Sequence, residues 1–336
     1  MPSFIACDVL YLILSLAVMN FICTFVFAKR INTLFNMKRT LKDWVIATRP
    51  WSFPASSMSV VVTAVLLWYM TGKDNNEFVW ANALIALVMM VVFQASGNLI
   101  SDYYDHIRGV DLPGSLNGVR HIQSGMFTPK EIFHYGLSLL AISGILGLVL
   151  LMCSDWSYIW FGVAGLLLAG FYPWLKYHAC GDYDILLCYA VLPSIGTSLV
   201  CTGHFYWEAV AVCFTYGLLT VAILHANNTR DIRNDSRAGI KTLAIQIGAR
   251  ASQKLYAAEL VIPYVLIVVY TISGMVPVMA LFVVAAIPVA VKNIRQMLNA
   301  EPEAEEPIAT LDQQTAQLQL MFSLLFVAGI ICGILF

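Results

Sequence analysis

Two polar stretches interrupt an otherwise apolar chain: "NLISDYYDHIRGVD" at 98–111 and "NNTRDIRNDSRAG" at 227–239. In the first, Asn98, Asp102 and Asp105 are four and three residues apart, with Asp111 following beyond Gly109. In the second, Asn227, Asp231 and Asp235 are four and four apart, and Gly239 follows. Residues three and four apart share a helix face, so each stretch lines one amide and two carboxylates along a stripe. Like charges at that spacing repel and carboxylates near lipid are costly, so cations must offset them. Two such stripes facing one another make an all-oxygen cage suited to Mg²⁺, which prefers carboxylates together with substrate phosphates. Arg108, Arg120, Lys176, Arg230, Arg233, Arg237 and Lys241 lie alongside. Carboxylates holding Mg²⁺ among Arg and Lys compose a diphosphate site.

The elements that must position these residues are membrane helices. Of 336 residues 60% are hydrophobic and 12% charged, about half the charge of a soluble domain. The fold class is an all-α integral membrane protein. A net charge of −1 gives no pull toward nucleic acid. Eight scattered cysteines without a CxxC pair read as small buried apolar residues, not a disulfide or zinc framework. A crossing needs about 20 mainly apolar residues. Candidates lie near 5–28, 51–70, 80–101, 134–153, 157–173, 184–202, 207–226, 255–273, 275–291 and 316–336. With these spans, every Lys and Arg except Lys73 falls on one side. The positive-inside rule makes that side cytoplasmic, which puts both polar stretches at the cytoplasmic face of the cell (inner) membrane. A substrate for such a site has a phosphorylated head at the interface and a hydrocarbon tail between the helices.

Residues 1–36 lack a basic leader and carry Asp8, a poor match to a cleavable signal peptide. Met37 opens "MKRTLKDWVIATRP", a start with its own basic flank. Two readings stay open: 1–36 is an extra N-terminal span, or the start lies too far upstream. The main domain is expected over 37–336.

Together the two stretches resemble the aspartate-rich motifs of the UbiA superfamily of intramembrane aromatic prenyltransferases. The resemblance is closest to 1,4-dihydroxy-2-naphthoate polyprenyltransferases of menaquinone synthesis and their animal vitamin K₂-forming relatives. "WVIATRPWSFPAS" (44–56), "QSGMFTPKEI" (123–132) and "GFYPWLKYHACGD" (170–182) are similar to further segments of that family, and the resemblance covers 37–336. It implies a bundle of nine transmembrane helices around a central cavity, so the span at 5–28 would be a tenth. It implies Mg²⁺-dependent transfer of a polyprenyl group from polyprenyl diphosphate to 1,4-dihydroxy-2-naphthoate, with decarboxylation, giving demethylmenaquinone. Asp102, Asp105, Asp231 and Asp235 match the motifs and, with Asn98, Asp111 and Asn227, would hold Mg²⁺ against the diphosphate. Arg49, Lys176, Arg230 and Lys241 would neutralise the departing diphosphate. Tyr172, with Tyr104 and Trp174 as further candidates, would face the allyl cation with its ring. The chain departs at Ser101, where the family usually has Asn.

Other acceptors of the superfamily, 4-hydroxybenzoate, a homogentisate-like ring, haem or chlorin, remain open, since cavity shape decides between them. A cation-coupled transporter would place its ionisable groups near mid-bilayer, whereas these cluster at one interface. Lys176 and Tyr172 also read as a snorkelling pair, and Arg49 as a topology flank. His178 and Cys180 lack partners for a metal site. His225 reads as a hydrogen-bonding residue inside the bundle, Glu259 as interfacial, and "EPEAEEP" (301–307) as a solvated loop. Gly109 and Gly239 are expected to end helices. The expected partners are the two substrates and the lipid bilayer; no nucleic acid is expected, and no obligate protein partner is evident.

Overall fold

A computed structural model of the chain describes residues 39–74, 77–109 and 121–335. The expected span at 5–28 and the boundary at 36/37 lie outside the described residues. Two units separate, Met1–Pro50 and Trp51–Phe336. The first contains α1 (Leu41–Ala47), opened by Asp43, whose carboxylate accepts from the Thr40 N–H at 2.7 Å and its hydroxyl at 2.8 Å.

The second unit is a bundle of α2 (Pro54–Asp74), α3 (Trp80–Ile107), α4 (Pro129–Cys153), α5 (Ile159–Lys176), α6 (Gly181–Leu186), α7 (Leu192–Thr202), α8 (Trp207–Arg230), α9 (Ile232–Arg237), α10 (Leu243–Ile247), α11 (Ala249–Ile272), α12 (Ile287–Asn299) and α13 (Leu311–Leu335). A π-helical turn, Leu187–Val191, joins α6 to α7 in one rod, and a 3-10 segment, Val278–Ala286, leads into α12. Among the described residues eight helices are long and apolar enough to cross a membrane, and Trp156–Tyr172 is a shorter apolar ninth. The chain is thus a multi-pass membrane protein whose crossings fit the nine expected after residue 37.

Several rods outrun the apolar windows that announce them. The expected span 80–101 continues to Ile107, which puts the first polar stretch on a helix. The expected span 134–153 starts at Pro129, because Thr128 and Glu131 form a reciprocal cap: Thr128 N–H to Glu131 Oε2 is 2.8 Å and Glu131 N–H to Thr128 Oγ1 is 3.3 Å. Hydropathy marks the part of a helix in hydrocarbon; capping and hydrogen bonding decide where it stops.

Inside lipid there is little hydrophobic drive between helices, so close packing and polar contacts hold the bundle. Tyr216 of α8, Tyr256, Leu260 and Ile267 of α11, and Phe322 and Phe326 of α13 are among its largest fully buried side chains. The Tyr216 hydroxyl lies 3.1 Å from the Thr63 hydroxyl of α2, and that of Tyr256 lies 2.6 Å from Thr315 of α13. Alternation of the nine rods brings the connections after α3, α5, α8 and α12 to one end. Contacts between those connections, described next, confirm that arrangement.

Candidate active site

The first stretch rides on the last turns of α3 as far as Ile107, and Gly109, with φ +67°, follows the cap residue Arg108. Asp105 is buried, and its neighbours include Lys176 Nζ at 3.2 and 3.3 Å, the Tyr177 hydroxyl donating at 2.9 Å, and the Ser101 hydroxyl donating at 3.4 Å. The departure at Ser101 therefore keeps a polar donor beside the carboxylate. Asp102, a turn earlier, is half-buried, and the Asn98 amide donates to Ser52 Oγ at 2.9 Å.

The second stretch does not form one uninterrupted helix. α8 ends at Arg230 and α9 starts at Ile232, with Asp231 at the joint. Backbone bonds still step four residues at a time, Asp231 N–H to Asn227 O at 3.0 Å and Asp235 N–H to Asp231 O at 2.8 Å, so the stripe survives. α9 closes at Gly239, φ +73°, with the Ile240 N–H reaching back to Asp235 O at 2.9 Å, as left-handed glycine caps do.

Lys176 pairs with Asp105 of the first stripe and lies within electrostatic reach of Asp235 of the second. Asp235, 6% exposed, feels the charges of Lys176, Asp231, Asp105 and Arg230. Burial pushes its carboxyl up to about 7; Asp231 and Asp105 add to the rise, while Lys176 and Arg230 oppose it. Burial works against the Lys176 ammonium, but Asp105, Tyr172, Tyr177 and Asp235 together outweigh it and hold the pKa above the ordinary lysine value. The cations that the paired carboxylates required are thus present, as Lys176 and Arg230.

Arg230 serves Asp231. It is 2% exposed, with Nε 2.8 Å from Asp231 Oδ1 and Nη2 2.9 Å from Oδ2. Nη2 also donates to Asn227 Oδ1, and Nη1 reaches Ala309 O at 3.2 Å and Asp312 Oδ2 at 3.3 Å. Five acceptors match the five N–H groups of a guanidinium. In this structure Arg230 clamps Asp231 to the foot of α13.

Tyr172 is half-buried one turn before Lys176, within electrostatic reach of Lys176 and Asp105. Lys241 is exposed, and its backbone N–H bonds Tyr177 O at 3.3 Å. Trp174 points outward, 55% exposed and stacked on His178 at 4.3 Å, so it does not line the site. Tyr104 packs edge-on to Tyr103 and Phe133. Arg49 lies in the first unit with φ +55°. Asp111 and Arg120 lie outside the described residues.

Tyr177 went unread in the sequence because an aromatic at a span end looks like an interfacial anchor; its adjacency to Lys176 was the available signal. Glu259 corrects the expectation of an interfacial residue: it is 5% exposed, with Oε1 3.4 Å from His225 Nδ1. The acidic loop is more than solvated surface. Glu303 pairs with Arg233 at 3.3 Å and Glu305 accepts from Asn234 at 3.1 Å, strapping α9.

Among the described residues no group of three or more His, Cys, Asp or Glu side chains is arranged to hold a metal ion unaided. The donors present are carboxylates and amides, the oxygen chemistry that Mg²⁺ takes, and Mg²⁺ draws much of its shell from water and substrate phosphate. The donor set fits Mg²⁺ that arrives with a diphosphate.

An all-helical, multi-pass membrane bundle with an acidic and cationic cluster at one end defines the class. The UbiA prenyltransferase family matches residues 59–322, and the chain belongs to that family. It is 31% identical over 306 residues to the UbiA prenyltransferase domain-containing protein 1 homolog of Drosophila melanogaster, covering 87% of this chain and 80% of that one. The UbiA prenyltransferase domain-containing protein 1 of Homo sapiens is 30% identical over 299 residues, 86% of this chain and 83% of the relative. The fold is similar to the apo structure of a UbiA homolog from Aeropyrum pernix K1, with TM-score 0.61 at 14% identity, over 84% of this chain and 97% of that one. It is also similar to a UbiA homolog from Archaeoglobus fulgidus bound to GPP and Mg²⁺, with TM-score 0.55 at 15% identity, over 85% and 99%.

Proposed function

We propose that the chain transfers a polyprenyl group from polyprenyl diphosphate to 1,4-dihydroxy-2-naphthoate, with loss of carbon dioxide, giving the prenylated hydroquinone demethylmenaquinol, the reduced form of demethylmenaquinone. The observation that carries this reading is the pairing of Lys176 with Asp105 of one aspartate stripe, within electrostatic reach of Asp235 of the other, at one end of an apolar bundle. Support for the donor comes from the archaeal relatives of like fold, whose structures hold GPP or DMAPP with Mg²⁺. Support for the acceptor comes from the resemblance of 98–111 and 227–239 to the naphthoate branch.

Asp102, Asp105, Asp231 and Asp235, with Asn98 and Asp111, would hold Mg²⁺. The bound ion supplies Lewis-acid neutralisation of the leaving diphosphate. The chain's own residues do the rest. Arg230 and Asn227 fix Asp231 at the joint between α8 and α9, so its lone pairs are aimed before substrate arrives. Lys176 turns its ammonium from Asp105 toward phosphate oxygens, with Lys241 adding charge from the rim. The prenyl tail lies among apolar side chains, where water that would quench an allyl cation is scarce. Tyr172 presents a ring face to that cation. The electron-rich acceptor ring then forms the new C–C bond and releases its carboxylate as carbon dioxide. The site faces the cytoplasm.

The test is direct. Purified protein with Mg²⁺ and a diphosphate series from geranyl upward is assayed against a panel of aromatic acceptors. Dihydroxynaphthoate is expected to give a prenylated, decarboxylated product. Asp102→Ala and Asp231→Ala are expected to lower turnover by about 10²–10³-fold while staying monodisperse in detergent. Near-normal rates in either variant would remove the metal-site assignment. Preference for another ring, with the aspartates still essential, would overturn the acceptor alone.

A further inference from the structure

A second cluster of ionisable groups lies deeper in the bundle. His225 of α8 is fully buried, and its Nδ1 lies 3.4 Å from Asp182 Oδ2 of α6 and 3.4 Å from Glu259 Oε1 of α11. Its Nε2 lies 2.8 Å from Ser252 Oγ, which is 2.6 Å from Thr229 Oγ1. The Thr229 hydrogen is committed to His225 O at 2.7 Å, so Ser252 must donate to Thr229 and accept from Nε2–H. With Nε2 protonated, Nδ1 needs the second proton to meet two carboxylates as a cation. A charged trio within a membrane bundle is a poor source of stability, since apolar side chains of like volume hold helices as well or better. What it supplies is fixed position.

The position it fixes belongs to Lys176. Asp182 is held at both oxygens from α8, by His225 at Oδ2 and by the Asn228 amide at Oδ1, 3.4 Å. These two residues flank Asn227 of the second stripe. Asp182 in turn begins α6 at the end of a tight turn from Lys176. Cys180 N–H bonds Leu175 O at 2.9 Å, Ala179 sits at φ +60°, and a Cβ on Gly181 would come within 3.3 Å of Lys176 Cα. With its backbone against that of Lys176, Gly181 leaves the turn no slack, so a shift of Asp182 is a shift of the lysine.

We infer that Asp182, held by His225, is a positioning residue that sets Lys176 between the two aspartate stripes, with Glu259 balancing the histidine's charge. This rests on the donor reading above. Titration calorimetry of the purified full chain with geranyl diphosphate at saturating Mg²⁺ tests it. Asp182→Asn is expected to weaken binding about tenfold, the low end for losing the support of a ligand-bearing side chain. Glu259→Gln, equally buried against the same nitrogen but leading away from Lys176, is expected to stay within about twofold. In a Lys176→Met background, whose own binding is weaker, Asp182→Asn is expected to add nothing, as residues acting through one another are non-additive. If Asp182→Asn does not yield folded protein, Asn228→Ala carries the same comparison with a smaller loss. Equal losses for Asp182→Asn and Glu259→Gln, or a loss independent of Lys176, would overturn the role. Wild-type protein that binds no geranyl diphosphate would overturn the donor reading and this role together.

Discussion

Asp235 shows what burial does to a single carboxyl. Its folded pKa of about 7 lies well above its ordinary 3.8, so the protonated form favours the fold. That contribution is complete below the unfolded value and is lost as pH rises through the folded one. Metal-free protein in detergent is therefore expected to melt at lower temperature as pH climbs from about 4 to about 7, and Asp235→Asn should flatten that slope. Parallel slopes in the two proteins would show that other groups set it. At this scale the sequence was informative where spacing carries meaning: four aspartates, two asparagines and the need for nearby cations all followed from helical periodicity. It was silent where a residue type has a bland common use, as with Tyr177 at a span end and Glu259 near a helix start.

Among the elements, the joint at Asp231 matters most. A helix that ran on unbroken would keep the stripe, but Arg230 could not then be inferred to bind the foot of α13. Its five contacts reach Asn227, Asp231, Ala309 and Asp312, and a lysine has three donors without the planar fork. Arg230→Lys is expected to lower the melting temperature by on the order of 5 °C and to weaken Mg²⁺-dependent diphosphate binding. A variant with wild-type melting would show that the clamp adds no stability. The clamp onto α13 was not legible locally, because Ala309 and Asp312 lie some eighty residues further along the chain. The acidic strap was read as solvated for the same reason: the net charge of 301–307 is visible in the sequence, but not the arginine and asparagine of α9 that it meets.

For the molecule as a whole, alternation of apolar rods was the most legible feature, and it survived nearly intact. Among the described residues of the second unit, Lys73 alone of the basic residues falls at the opposite end, which fits the same alternation. The compartment each end faces is a matter for labelling. On a cysteine-depleted background, Ser236→Cys beside the strap is expected to react with an impermeant maleimide only after cells are permeabilised, and Phe205→Cys at the other end in intact cells. The opposite pattern would invert the proposed orientation.

Lys176 has one further consequence. Its ammonium already occupies the ground between the carboxylates, as a tethered placeholder for the cation that chemistry there requires. A dication arriving alone must evict a resident that has nowhere better to go. A dication escorted by its phosphate offers the lysine a new anion at the moment the old one is surrendered. On the proposed reading the metal and its diphosphate would gain entry together, and calorimetry with either one alone would show little binding.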